Sequence, residues 1–300
     1  MVTTLDVGLQ GRQEVVAAGL IEGPAGIAVV DPGPSSSLPG LEAGLARMGH
    51  SLDEIGAVLV THIHLDHSGA AGTIVRRNPR ARVYVHERGA AHVVDPGKLV
   101  ASATRLYGDA MERLWGEIAP VPSDRVHALR GGETIEVAGL PLEVAYTPGH
   151  AVHHVSYFEA GSGTAFAGDT AGIRIAPWPA VVPPTPPPDI DVELWAESIR
   201  RLRAWRPSRL FLTHFGPFED VEHHLDDLER RLASMAAMVR QSLEEPAADD
   251  DARITSFTAA LKQSLREGLR DEAAAARYER AVPFAHCWAG LARYWRKKMV

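Results

Sequence analysis

One cysteine, Cys287, is present in the whole chain. That excludes an internal disulfide, a cysteine-based zinc finger, an iron–sulfur cluster and CxxC redox chemistry. Cys287 itself is expected to act as a small buried hydrophobe. Lysine is scarce as well, with four residues (Lys98, Lys262, Lys297 and Lys298). The net charge is −7, and no basic stripe with interleaved aromatics is visible. Nucleic acid is therefore not expected as a partner. No apolar run approaches the ~18 residues of a spanning helix, so no membrane segment is expected. The first ten residues, MVTTLDVGLQ, lack a charged n-region and an apolar h-region. No signal peptide is expected, and the reading is a cytoplasmic protein.

What is present fits a soluble globular chain. Of 300 residues, 45% are hydrophobic and 23% charged, close to the average for such proteins. A chain of this size hides roughly three quarters of its unfolded surface. Histidine stands out, with fourteen residues gathered unevenly.

Short β-branched runs at 3–7, 14–21 and 27–30 read as strands, separated by Gly-containing turns. Residues 57–60 (AVLV) read as a buried strand. After a mostly helical stretch at 87–119, strands return at 125–128, 134–137, 142–146, 155–158 and 164–167. Residues 176–188 are proline-rich, stiff and extended, and read as a loop wall. Residues 191–205 read as an amphipathic helix and 209–213 as a strand. A helix with one apolar seam (Val221, Leu225, Leu228, Leu232, Met235, Val239) follows. The expected organisation is a catalytic domain over 1–243, an acidic linker over 244–252 and a helical extension over 253–300. That extension reads as helix throughout and as either a lid or a homodimer interface. Two strand-rich blocks, each followed by helices, predict two stacked sheets with helices outside.

The strand at 57–60 runs directly into His62-Ile63-His64-Leu65-Asp66-His67. In extended chain, His62 and His64 point the same way, which suits one metal ion, since neutral imidazole is the commonest ligand. Asp66 and His67 follow where the chain turns, and aim at a neighbouring point. Four ligands so closely spaced are better explained by two metals than by one. Two ions need further ligands. His150, Asp169 and His214 each follow a predicted strand, where sheets place their chemistry. Gly149 and Gly168 stand directly before two of them, where a close backbone approach is useful.

This set, His62-x-His64-x-Asp66-His67 with His150, Asp169 and His214, resembles the full ligand set of the metallo-β-lactamase fold superfamily, and Thr147-Pro148-Gly149-His150 resembles its glyoxalase II-like branch. The resemblance covers about residues 1–220. It implies an α/β fold, a four-layer αβ/βα sandwich with the site along one edge of the sheets, here with added C-terminal helices. It implies that His62, His64 and His150 hold one metal, that Asp66, His67 and His214 hold the second, and that Asp169 bridges. Asp31-Pro32-Gly33 resembles the superfamily's early Asp motif, so Asp31 is expected to support the ligands from behind.

The implied activity is that of a dinuclear metal-dependent hydrolase, in which a bridging hydroxide attacks an ester-like bond of a small molecule, a thioester in the first reading. Asp66 is expected to serve both as ligand and as orienter of the water. Zinc is the expected metal, with iron or manganese as alternatives. Alternative activities are a lactonase, a mononuclear iron persulfide dioxygenase and a β-lactamase-like hydrolase. Candidate substrate contacts are Tyr107, His153 and Trp178. His154 is expected to be a structural hydrogen-bonding residue. The remaining histidines (His50, His86, His92, His127, His223, His224 and His286) read as ordinary surface or core residues.

Overall fold

The computed structural model describes residues 1–245 and 249–299. The first half comprises β1 (Val2–Asp6), β2 (Ala17–Gly23), β3 (Gly26–Val30), α1 (Leu38–Arg47), β4 (Ile55–Leu59), α2 (Leu65–Ser68), α3 (Ala71–Arg77), β5 (Arg82–His86), α4 (Glu87–Val94), α5 (Gly97–Tyr107), α6 (Met111–Trp115) and β6 (Val126–Leu129). The second comprises β7 (Thr134–Val137), β8 (Leu140–Tyr146), β9 (Val155–Glu159), β10 (Thr164–Phe166), α7 (Val192–Ala204), β11 (Arg209–Leu212), β12 (Gly216–Phe218), α8 (Val221–Glu244), α9 (Asp250–Leu269), α10 (Glu272–Ala281) and α11 (Phe284–Lys298).

Two six-stranded sheets form, in the orders β1-β2-β3-β4-β5-β6 and β12-β11-β10-β9-β8-β7. Strand alternation decides which side chains fill which layer. In β3, Ala28 and Val30 face the opposite sheet, while Ile27 and Val29 face the helical layer. The central core between the sheets includes Leu59, Leu142, Tyr157, Phe166 and Phe211. A second core packs α1 and α3 on the first sheet. A third packs α7 to α11 on the second sheet. The expected αβ/βα sandwich is the architecture observed.

Several boundaries differ from the sequence reading, for local reasons. Residues 14–16 do not extend β2. Glu14 takes a left-handed backbone with φ 57°, its amide donates to Asp6, and the carbonyl of Val15 turns toward His214. The strand β12 is too short to leave a hydrophobic pattern. At the ends of the region expected as a linker, Glu244 closes α8, and Asp249 caps α9 by accepting from the Ala252 amide. Residues 246–248 lie outside the described residues. The extension is three helices, not one. Arg270 ends α9 in the left-handed region, Asp271 caps α10, and Pro283 precedes α11. Its apolar residues Phe257, Tyr278, Phe284 and Trp288 belong to the same core as Leu225 and Leu232 of α8.

Candidate metal centre

The loops after β4, β8, β10 and β11 converge at one end of the sandwich. Close backbone packing sets two of them. At Gly149, φ is 132° and a Cβ would stand 2.4 Å from the Trp195 Cα. At Gly168, φ is 46° and a Cβ would meet Thr61 Oγ1 at 2.6 Å and His154 Nε2 at 2.7 Å. Side chains at either position would push His150 or Asp169 out of place.

Two groups of ligand-capable atoms result, each within 4.8 Å: His62, His64, His150 and Asp169, and next to them Asp66, His67 and His214. All seven residues named from the sequence are brought together. In the first group, His64 Nδ1 lies 2.9 Å from His62 Nε2 and 3.0 Å from His150 Nε2. The far nitrogens of the His62 and His150 rings are already engaged. His150 Nδ1 donates to the Pro184 carbonyl at 2.8 Å. Thr61 Oγ1 donates to Asp31, which leaves it to accept from His62 Nδ1 at 3.2 Å. Both Nε2 atoms therefore present lone pairs to one point. Burial holds His62 and His150 below the usual histidine range and brings His64 down to about 3, with the neighbouring imidazoles adding to the shift for His62 and His64. Converging neutral imidazoles are a donor set for a cation.

In the second group, the far nitrogens are likewise fixed. His67 Nδ1 donates to Asp31 Oδ2 at 2.8 Å and His214 Nδ1 to the Val15 carbonyl at 2.7 Å. His214 Nε2 stands 3.3 Å from Asp66 Oδ2. Asp169 divides its oxygens: Oδ1 faces His67 Nε2 (3.3 Å) and His214 Nε2 (3.6 Å), while Oδ2 faces His150 Nε2 (3.4 Å). Burial opposes ionisation of both Asp66 and Asp169, yet His67 and His214 hold them well below the carboxylate range. Burial likewise opposes charge on His67 and His214, and the carboxylates raise both. The centre attracts positive charge.

Two buried atoms test the fit to a metal. His67 Nε2 and Asp169 Oδ1 have no hydrogen-bond partner, and each such atom costs roughly 1–3 kcal/mol unless something satisfies it. A divalent cation satisfies both, and oriented imidazoles backed by carboxylates or carbonyls are what metal sites use.

A cavity of about 460 Å³ opens onto the cluster. Tyr107 and His153 line it, as expected. Trp178 does not. It lies against Tyr278, its indole donates to Asp271 at 3.0 Å, and it braces the C-terminal helices. The sequence reading missed other lining residues: Arg88, His92 and Lys98 from α4 and α5, Asp189 from the loop before α7, and His286 and Cys287 from α11. His154 has the structural role expected, sharing a 2.9 Å hydrogen bond with Thr147.

The model of the metallo-beta-lactamase superfamily matches residues 11–214. The chain belongs to that superfamily. Within it, the chain is 30% identical over 182 residues to the metallo-beta-lactamase fold-containing protein ST1585 of Sulfurisphaera tokodaii, covering 59% of this chain and 67% of that protein. It is 36% identical over 143 residues to a hydroxyacylglutathione hydrolase of Synechococcus sp., covering 48% of this chain and 43% of the hydrolase. The match thus spans less than half of that enzyme. Among solved structures, the metallo-beta-lactamase family protein TTHA1429 of Thermus thermophilus superposes with a TM-score of 0.72 at 22% identity, covering 100% of this chain and 93% of that one. The superfamily fold and the His/Asp cluster together support a metal-dependent hydrolase that binds divalent cations.

Proposed function

We propose that the protein is a dinuclear metal hydrolase acting on a small-molecule ester-like bond, with a thioester as the first choice of substrate. The observation that carries this is the division of Asp169 between the two donor groups. One carboxylate facing both groups is the arrangement that holds two cations as neighbours. His62, His64 and His150 would hold one, Asp66, His67 and His214 the other. The all-nitrogen and oxygen donor set suits zinc, and also iron or manganese.

Cations so held lower the pKa of a water toward neutrality and polarise a carbonyl oxygen. The protein's own part is orientation and proton handling. Asp66 lines the cavity together with His64, His150, Asp169 and His214, and its side chain is 26% exposed. Ionised, it accepts a hydrogen bond from the attacking water and takes its proton. His150 and His214 cannot rotate, because backbone carbonyls hold their Nδ1 atoms. Leu65 and Trp115 form an apolar patch beside the cluster that keeps bulk water from competing.

The likeness to a hydroxyacylglutathione hydrolase favours a thioester over a lactone or a β-lactam. A mononuclear iron dioxygenase would leave the complete Asp66–His67–His214 group unused. The test is a metal count on purified protein, then a panel of thioesters, lactones, β-lactams and persulfides. Two zincs and thioester turnover are expected. One iron with oxygen uptake would overturn the reading.

A further inference from the structure

Helix α5 contributes one wall of the cavity. Lys98, Ser102 and Leu106 form one i, i+4, i+8 row along it, and Leu99, Ala103 and Tyr107 form the adjacent row; all six line the cavity. Eight residues of helix make a face roughly 12 Å long. Its two ends differ in chemistry. The Tyr107 end packs on Trp115, with ring centroids 5.1 Å apart, and shares an apolar cluster with Leu65, the neighbour of Asp66. The other end carries Lys98, whose ammonium makes no hydrogen bond or ion pair among the described residues. Arg88 and His92, one turn apart on α4, add two more basic groups to the same cavity.

The wall also carries an exposed apolar residue and a buried donor without a partner. Leu106 is 49% exposed, although large exposed hydrophobic residues are rare in this chain. The indole N–H of Trp115 is buried and unpartnered. Beyond Asp66 and Asp169, the cavity has Asp189 as its acid, and that residue faces His153 at 4.0 Å. Nothing acidic lines the cavity from α5.

We propose that the substrate of this centre is an amphiphilic anion: an ester or thioester with an apolar stretch lying along α5 and a carboxylate or phosphate terminus paired with Lys98. This rests on the hydrolase reading above for the reaction, but not for the binding. The reacting carbonyl sits at the cluster, the apolar stretch covers Leu99, Ala103 and Leu106, and the anion reaches the basic end. A ligand of that shape buries Leu106 and gives Lys98 a partner. The cavity volume lies within the range of small-molecule sites.

The test measures binding and turnover separately on the metal-loaded protein. Calorimetry compares octyl phosphate, octanoate, octanol and ethyl phosphate. The octyl anions are expected to bind at least tenfold tighter than octanol and than ethyl phosphate, and the stronger of the two identifies the terminus. Lys98→Glu should remove the advantage over octanol, and Leu106→Asp the advantage over ethyl phosphate. Both positions are exposed, and unchanged circular dichroism confirms folding. Equal binding of octanol, or an octyl phosphate affinity untouched by Lys98→Glu, would overturn the proposal; the latter places the anion at the cluster instead. Turnover is then read on thioesters of equal length ending in carboxylate, phosphate or hydroxyl. Turnover without anion discrimination refutes this inference and leaves the hydrolase reading standing. Lys98-dependent binding with no ester or thioester turnover does the reverse.

Discussion

Asp31 accepts a 2.8 Å hydrogen bond from Nδ1 of His67, and the same carboxylate holds the loops after β4 and β11 together. Thr61 donates to it from both its amide (2.8 Å) and its hydroxyl (2.7 Å), and Thr213 from its hydroxyl (2.7 Å). Asp31 itself is fully buried and adopts a left-handed backbone with φ 48°. Asp31→Ala would leave four buried donors unpaired and free the His67 ring. Loss of such a supporting partner typically costs 10–100-fold in metal affinity or activity. That loss is the expected result, measured as metal content and kcat/KM. Unchanged values would show that the His67 ring is held by other contacts.

Asp66 is a candidate ligand that lines the cavity with its side chain partly exposed. Asp66→Ala is expected to lower kcat by at least ~100-fold, the scale of general-base contributions, with the fold intact by circular dichroism. His62→Ala should act likewise. Full activity with either change would misplace the site.

Chelation should destabilise the protein. A cation that binds only the folded state adds about 2.7 kcal/mol at a hundred times its Kd. The melting temperature is therefore expected to fall on dialysis against a chelator and to return with added zinc. His67→Ala should blunt that response. An identical melting curve with and without chelator would contradict it.

His224 predicts a pH dependence away from the centre. Its ring is fully buried, Nε2 donates to the Ala171 carbonyl at 2.7 Å, and Nδ1 has no partner. Burial brings its pKa down to about 4 from the ordinary 6.5. The unfolded chain thus takes up the proton more readily. The contribution is complete above pH 6.5 and is lost as pH falls toward 4, up to about 3 kcal/mol. Denaturant unfolding of the parent and of His224→Gln from pH 4 to 7.5 checks this; the variant should show the shallower slope.

Cys287 is buried, its carbonyl accepts from Thr185, and burial pushes its thiol up to about 11. The native protein is expected to react slowly with thiol reagents at pH 8 and stoichiometrically once unfolded. Rapid native labelling would contradict the packing of α11.

The candidate ligand residues are legible in the sequence because metal chemistry restricts residue type and because His62, His150, Asp169 and His214 come shortly after strands. The sandwich is legible through strand alternation, as in the 27–30 run. What cannot be read is of two kinds. Val15 and Pro184 contribute only backbone carbonyls to His214 and His150, and a carbonyl leaves no mark on residue identity. Lys98, His286 and Trp178 depend on how distant helices dock. From sequence, Lys98 resembles a solvated charge and His286 an ordinary surface or core histidine. Trp178 resembles a pocket wall, and its contacts with Asp271 and Tyr278 place it elsewhere. Within the acidic run, Asp249 serves as the N-cap of α9.

The most direct test of the central claim is a calorimetric zinc titration of demetallated protein. Two equivalents per chain are expected, falling to one in His214→Ala and to one in His62→Ala, because each change disables one donor group. A single equivalent in the parent, or two in either variant, would contradict a pair of cations joined through Asp169.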